Sequence, residues 1–164
     1  MAYVDYEYYI TLYSTPEISE IDFKRYLFDA CKKVDYHTTG VDGVKKLKIA
    51  FPVSEDDAES VKRCIVAVVE TMHKIKQAEE NARSTKGYIQ QEDGTLRGKV
   101  VTSITSGSES ISFSGNTGNA TLIDKALSDP AVQKKLYNDI ITEYLSGTED
   151  ANGVKLLYMG RYPY

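Results

Sequence analysis

The stretch SEDDAESVKRCIVAVVETMHKIKQAEENAR, residues 54–83, decides the fold. Ser54 followed three residues later by Asp57 has the capping-box form, in which the serine oxygen accepts an orphan backbone N–H at a helix start. Glu55, Asp56 and Asp57 sit where the helix dipole is positive. Ala58, Val61, Cys64, Ile65, Val68, Val69, Met72 and Ile75 then recur at three- and four-residue steps, which predicts one buried stripe. Past Ile75 the apolar residues thin out while helix propensity stays high. The helix is therefore expected to run on and project its last turns beyond the core. At ~1.5 Å per residue, about 28 residues make a rod of roughly 42 Å.

Upstream, Tyr3, Tyr6, Tyr9, Ile10 and Tyr13 stand at helical spacing, with Tyr8 off that face, so 3–13 reads as a short helix or helical turn ended by Ser14-Thr15-Pro16. The rings either pad a small core or meet another chain. Residues 17–35 predict a second helix opened by Ser19 and Asp22. Its inward face is Phe23, Tyr26, Leu27, Ala30, Cys31 and Val34, and it ends near Thr38-Thr39-Gly40. Residues 41–53 read as a connector in which Lys45, Lys46 and Lys48 form a small basic cluster, either a solvated loop or an anion site.

Downstream, residues 87–118 turn rich in Gly, Ser and Thr. Period-two alternation on both sides of Ser106-Gly107-Ser108 predicts a β-hairpin, with a second turn at Asp93-Gly94. An isolated hairpin is marginal and needs the helices or a neighbouring chain beside it. The helical pattern returns from about Thr121, and Pro130 takes a natural first position of a last helix. Val132, Leu136, Tyr137, Ile140, Ile141, Tyr144 and Leu145 are its stripe, and Gly147 ends it. The tail GVKLLYMGRYPY places Val154, Leu156, Leu157, Tyr158, Met159, Tyr162 and Tyr164 outside any expected helix or turn. Such residues are a liability unless they dock.

The expectation is thus a mainly α single domain over 1–164. Its helical core covers about 3–83 and 121–147, a small bundle around one long central helix, with a β-hairpin arm at about 87–118 and an extended tail at 148–164. The net charge of −4 argues against a dedicated nucleic-acid binder. Thirteen tyrosines against four phenylalanines and no tryptophan suit surfaces that partners cover. Cys31 and Cys64 fall on apolar stripes, where buried free thiols are favoured over a disulfide. The start MAYVDYEYYITLY lacks a signal peptide's pattern and no apolar run reaches membrane-spanning length, so the reading is of a soluble protein made inside the cell.

No catalytic, cofactor-binding or metal-ligating set emerges. His37 and His73 lie in different elements, without a Cys or His at ligand spacing. GxSxG, Walker-type and GxGxxG patterns are missing from the sequence. Glu55, Asp56 and Asp57 are explained by helix capping; three neighbouring carboxylates could hold a divalent cation, but consecutive helix positions point in different directions.

The order of parts carries more. The tyrosine-rich start is followed by I-S-E-x-D-F-x-R at 18–25 and A-C-K-K-V-D at 30–35, then by the long helix with a Cys on its stripe. S-G-S-E-S-I-S-F-S follows at 106–114, Y-L-S-G-T at 144–148 and L-L-Y-M-G-R at 156–161. Together, over nearly the whole chain, these resemble the head-to-tail connector (adaptor, head-completion) proteins of long-tailed phages and prophages. The chain departs from that pattern in a longer 87–99 segment, an extended 115–130 region and Tyr162-Pro163-Tyr164 after the usual tail.

The resemblance implies a structural virion protein without catalysis or cofactor. Its copies form a ring, commonly of twelve, under the portal protein at the neck, after assembly in the host cytoplasm. Such a ring extends the channel through which DNA passes non-specifically and offers a platform to the stopper or tail-completion protein, with no membrane involved. Ring contacts are heterologous, and a hairpin edge suits strand addition. Ile111 and Phe113 on the hairpin, with Leu156, Leu157, Tyr158, Met159 and Arg161 on the tail, are the interface candidates. Glu70, Glu79 and Glu80 are channel-facing candidates, with a solvated helix face as their other reading. Two other functions stay open, a helical protein-binding adaptor unrelated to a virion and a small enzyme or regulatory domain.

Overall fold

The computed structural model describes residues 3–13, 15–84, 88–90, 96–105, 110–115 and 122–163, with the backbone alone described for 82–84 and for the segments between 88 and 115. It is mainly α, with six helices among the described residues. Two compact units emerge, Met1–His73 with Tyr137–Tyr164, and Lys74–Leu136.

In the first unit, helix α1 (Tyr6–Leu12) begins where the Asp5 carboxylate accepts the Tyr8 N–H at 2.8 Å. Helix α2 (Glu20–His37) begins where Ser19 Oγ accepts the Asp22 N–H at 3.2 Å, as the capping pattern predicts. It ends where the Thr38 hydroxyl folds back to donate to the carbonyls of Val34 and Asp35. Helix α4 (Glu55–Ser84) follows Ser54, whose Oγ lies 3.5 Å from the Asp57 N, with three acidic residues in its first turn. Helix α6 (Pro130–Leu145) brings Tyr137, Ile141 and Leu145 inward.

These helices meet on the predicted stripes. Phe23, Ala30 and Val34 of α2 are buried with Val61, Cys64, Ile65, Val68 and Val69 of α4, and Val66 joins them. Each fully buried large aliphatic or aromatic side chain is worth about 2 kcal/mol relative to exposure. The tyrosines of α1 divide. Tyr9 is buried against Phe23 with ring centroids 5.1 Å apart, whereas Tyr13 and Ile10 remain exposed. Tyr3 stacks on Phe51 and donates its hydroxyl to Asp35 at 2.6 Å. Cys31 and Cys64 are free and buried, and burial pushes the Cys64 thiol up to about 12.

Two expectations need correction. Residues 41–53 are not a solvated loop throughout: Lys45 and Lys48 are exposed, but helix α3 (Lys46–Ile49) lies there, and Lys46 is fully buried. The tail is not extended and unpartnered either. It carries a bridge between Glu149 and Lys155, and Leu156 and Tyr162 are buried. In both places a turn that sequence periodicity does not report supplies the burial.

In the second unit, Lys76 pairs with Glu79 at 2.9 Å near the end of α4, and Ile75 is buried. Backbone segments β1 (Tyr88–Gln90), β2 (Leu96–Thr105) and β3 (Ser110–Gly115) pair antiparallel in that order, with an irregularity between Val101 and Ser103. The turns expected at Asp93-Gly94 and Ser106-Gly107-Ser108, the side chains of Ile111 and Phe113, and Thr121 lie outside the described residues. Helix α5 (Leu122–Ser128) buries Ala126. The Asp129 carboxylate then accepts the Ala131 N–H at 2.7 Å, starting α6 at Pro130.

Candidate functional site

The tail and the segment after α2 form one built site within the first unit. Both begin with a threonine whose hydroxyl caps a helix end, Thr38 donating to Val34 O and Thr148 to Leu145 O at 2.8 Å. From these threonines the sequence reads T-x-x-x-D-G-V-K-x-L at 38–47 and T-x-x-x-N-G-V-K-x-L at 148–157. The backbone repeats with it. Thr39 bridges Lys45 as Glu149 bridges Lys155. The Gly40 N–H reaches Val44 O at 3.4 Å, and the Asp150 N–H reaches Val154 O at 2.9 Å. Gly43 and Gly153 close the turns at φ values of 76° and 75°, a region that favours glycine. After each bridge, Lys48 N–H returns to Lys45 O and Tyr158 N–H to Lys155 O, both at 3.0 Å.

The position after the bridging lysine distinguishes the copies. Leu156 is fully buried, as is Lys46. The Lys46 ammonium donates to Lys155 O at 3.2 Å, to Leu156 O at 3.0 Å and to Tyr158 O, and it lies 5.7 Å from the centre of the Tyr158 ring. Burial lowers its pKa, opposed by the more distant carboxylates of Asp150 and Asp42. Three carbonyls match the three donors of an ammonium, which is what a buried lysine needs to avoid an unsatisfied charge.

Further along, the Val41 N–H donates to Met159 O at 3.0 Å and the Tyr162 N–H to the Asp42 carboxylate at 2.7 Å. That second bond is the main cause of a lowered Asp42 pKa. The Tyr162 hydroxyl donates to Asp150 at 2.6 Å and accepts from the Asn152 amide at 2.8 Å. Gly40 permits the approach, since a Cβ there would stand 2.6 Å from the Gly160 carbonyl oxygen. The tail is therefore seated by backbone bonds, a buried cation and a buried tyrosine.

On this seat the predicted tail residues separate. Leu156 belongs to the core and Leu157 is half-buried, while Tyr158, Met159 and Arg161 are exposed. Gly153, Val154, Lys155, Tyr158, Arg161 and Pro163 line a shallow depression beside them. Ile111 and Phe113 lie on β3 in the second unit. Glu70 is half-buried near Tyr13, whose hydroxyl is pushed up first by burial and then by the Glu70 carboxylate. Glu79 pairs with Lys76, and Glu80 is exposed.

Sequence reasoning missed the burial of Lys46, the close approach at Gly40, the parts played by Asp42 and Gly160, and the anchoring role of Tyr162. The repeated D/N-G-V-K string was the available signal, because a repeated turn brings its flanking residues into equivalent places. Among the described residues no group of three or more His, Cys, Asp or Glu could hold a metal ion. No described helix is long and apolar enough to cross a membrane. The carbonyl, ammonium, carboxylate and aromatic groups of this site fix the tail onto the segment after α2. No family model, curated protein or solved structure matches the chain.

Proposed function

We propose that the chain is an architectural head-to-tail connector, forming a ring under a portal and extending its DNA channel toward the tail. The observation that carries this reading is the order of short motifs at 18–25, 30–35, 106–114, 144–148 and 156–161 over nearly the whole chain. A mainly helical protomer with a long α4, and a tail that exposes Tyr158, Met159 and Arg161 while its backbone is fastened, support it. A fastened tail loses little conformational freedom on docking, so repeated weak interfaces suffice. In this reading β2 and β3 act as an arm that offers an edge to a neighbouring copy. Of the three carboxylates suggested for the channel, Glu80 is the exposed one. An acidic lining would speed passage, because Lys and Arg contacts hold phosphates. The protein neither turns over a substrate nor holds a cofactor.

Light scattering of the protein alone and mixed with portal-bearing particles, followed by negative-stain imaging, tests the proposal. The expected result is a ring at the portal vertex. A small, fixed mass that ignores portals would refute it and leave a helical adaptor of another kind.

A further inference from the structure

Helix α2 has a second apolar face that the core does not use. Its inward stripe is buried, yet Ile21 is 82% exposed, Phe28 66% and Tyr36 70%. Arg25 and Lys32, also exposed, stand between them. The five residues Ile21, Arg25, Phe28, Lys32 and Tyr36 are spaced by four, three, four and four positions. At 3.6 residues per turn they share an arc of about 80° and a length of about 22 Å, opposite the buried face. The Lys32 ammonium lies 5.0 Å over the Phe28 ring, so cation and ring present one combined surface. Neither Arg25 nor Lys32 forms an ion pair among the described residues, whereas Lys24, off the stripe, pairs with Glu20 at 2.6 Å. Asp29 borders the stripe without interrupting it.

We propose that this outer stripe of α2 is a docking face for an acidic amphipathic helix of a partner protein. The alternation of apolar and cationic residues along one line calls for a partner whose apolar residues recur at three- and four-residue steps with carboxylates beside them. The apolar side chains pack between the two helices, and the carboxylates meet Arg25 and Lys32 at the margin, where charge sets partner choice more than affinity. Nucleic acid fits less well, because large apolar residues outnumber the cations on the stripe and the chain carries a net −4. The proposal goes beyond the connector reading and does not depend on it.

The test uses the intact protein and a fluorescent synthetic helix of about 18 residues, with leucines at three- and four-residue steps and glutamates flanking them. A second peptide carries lysines in place of the glutamates, and a single-stranded oligonucleotide and anionic lipid vesicles are further probes. Saturable binding of the acidic helix is expected, weakened roughly tenfold by Phe28→Ser. Arg25→Glu with Lys32→Glu should abolish it and create binding of the lysine peptide. These side chains are exposed, so an unchanged circular dichroism spectrum and melting temperature should accompany each variant. No binding of the acidic helix, or equal binding by wild type and variants, overturns the proposal. Preferential binding of the oligonucleotide or vesicles, or self-association lost in Phe28→Ser, would overturn it in favour of another occupant.

Discussion

The turns at 38–47 and 148–157 have the same frame and opposite contents at one position. Both cap a helix with a threonine, reverse through a glycine near φ +75°, and bridge back to a lysine. The next side chain points inward in each. In one copy it is a leucine that completes the core, and in the other a lysine that needs acceptors. The second copy supplies them, because the chain leaving its bridge presents the carbonyls of Lys155, Leu156 and Tyr158 to Lys46. A repeated turn has thus become a lock between its two copies.

Exchanging the two inward residues should have the largest effect. Leu156→Lys puts an ammonium in a fully buried position and should cost about 4 kcal/mol or more, enough to unfold the first unit in a denaturant titration. Lys46→Leu removes the donor from the carbonyls of Lys155, Leu156 and Tyr158, of which the Leu156 bond is fully buried, and should cost about 3 kcal/mol. Its distinctive signature is local. Hydrogen exchange should accelerate at the N–H groups of Val41, Tyr158 and Tyr162, which lie at the tail contact, while the α4 amides stay protected. Uniform loss of protection would mean that Lys46 supports the whole core rather than the tail.

Gly40→Ala comes next, at about 2 kcal/mol. The added carbon would meet a backbone oxygen, that of Gly160, which cannot rotate away as a side-chain tip can. Faster proteolysis after Tyr158 with unchanged helix content is the expected result. Wild-type resistance would show that the tail seat tolerates more space than the geometry allows.

Much of the helical frame was legible because periodicity and capping report local chemistry. Ser19 and the stripe from Val61 to Ile75 announce themselves, since side chains three or four residues apart must share a face. Lys46 was illegible by the same logic. A lysine among Lys45 and Lys48 has the composition of a solvated loop, and its acceptors lie more than 100 residues away. The tail was misread for a related reason. Tyr162 has no periodic neighbour to mark it as buried, and only the fold brings Asp150 and Asn152 to its hydroxyl. The outer stripe of α2 was not read from the sequence, because Ile21, Phe28 and Tyr36 stand out only once their exposure is known.

The smallest predicted effect tests whether the two turns are equivalent at all. Gly43 and Gly153 share a left-handed φ, and the space around them is nearly open. Nothing lies within 4 Å of a Cβ at Gly43, and only Glu149 Oε2, at 4.0 Å, approaches one at Gly153. Packing therefore contributes almost nothing to either Gly→Ala change, and the left-handed backbone penalty of about 1 kcal/mol should dominate both. The two variants should lose equal stability in urea, and asparagine at either position should recover part of it, because its side chain tolerates that backbone region. A Gly153→Ala loss several times that of Gly43→Ala would break the comparison. The second turn would then owe its shape to the tail it carries, and the shared D/N-G-V-K string would encode a turn in only one of its two places.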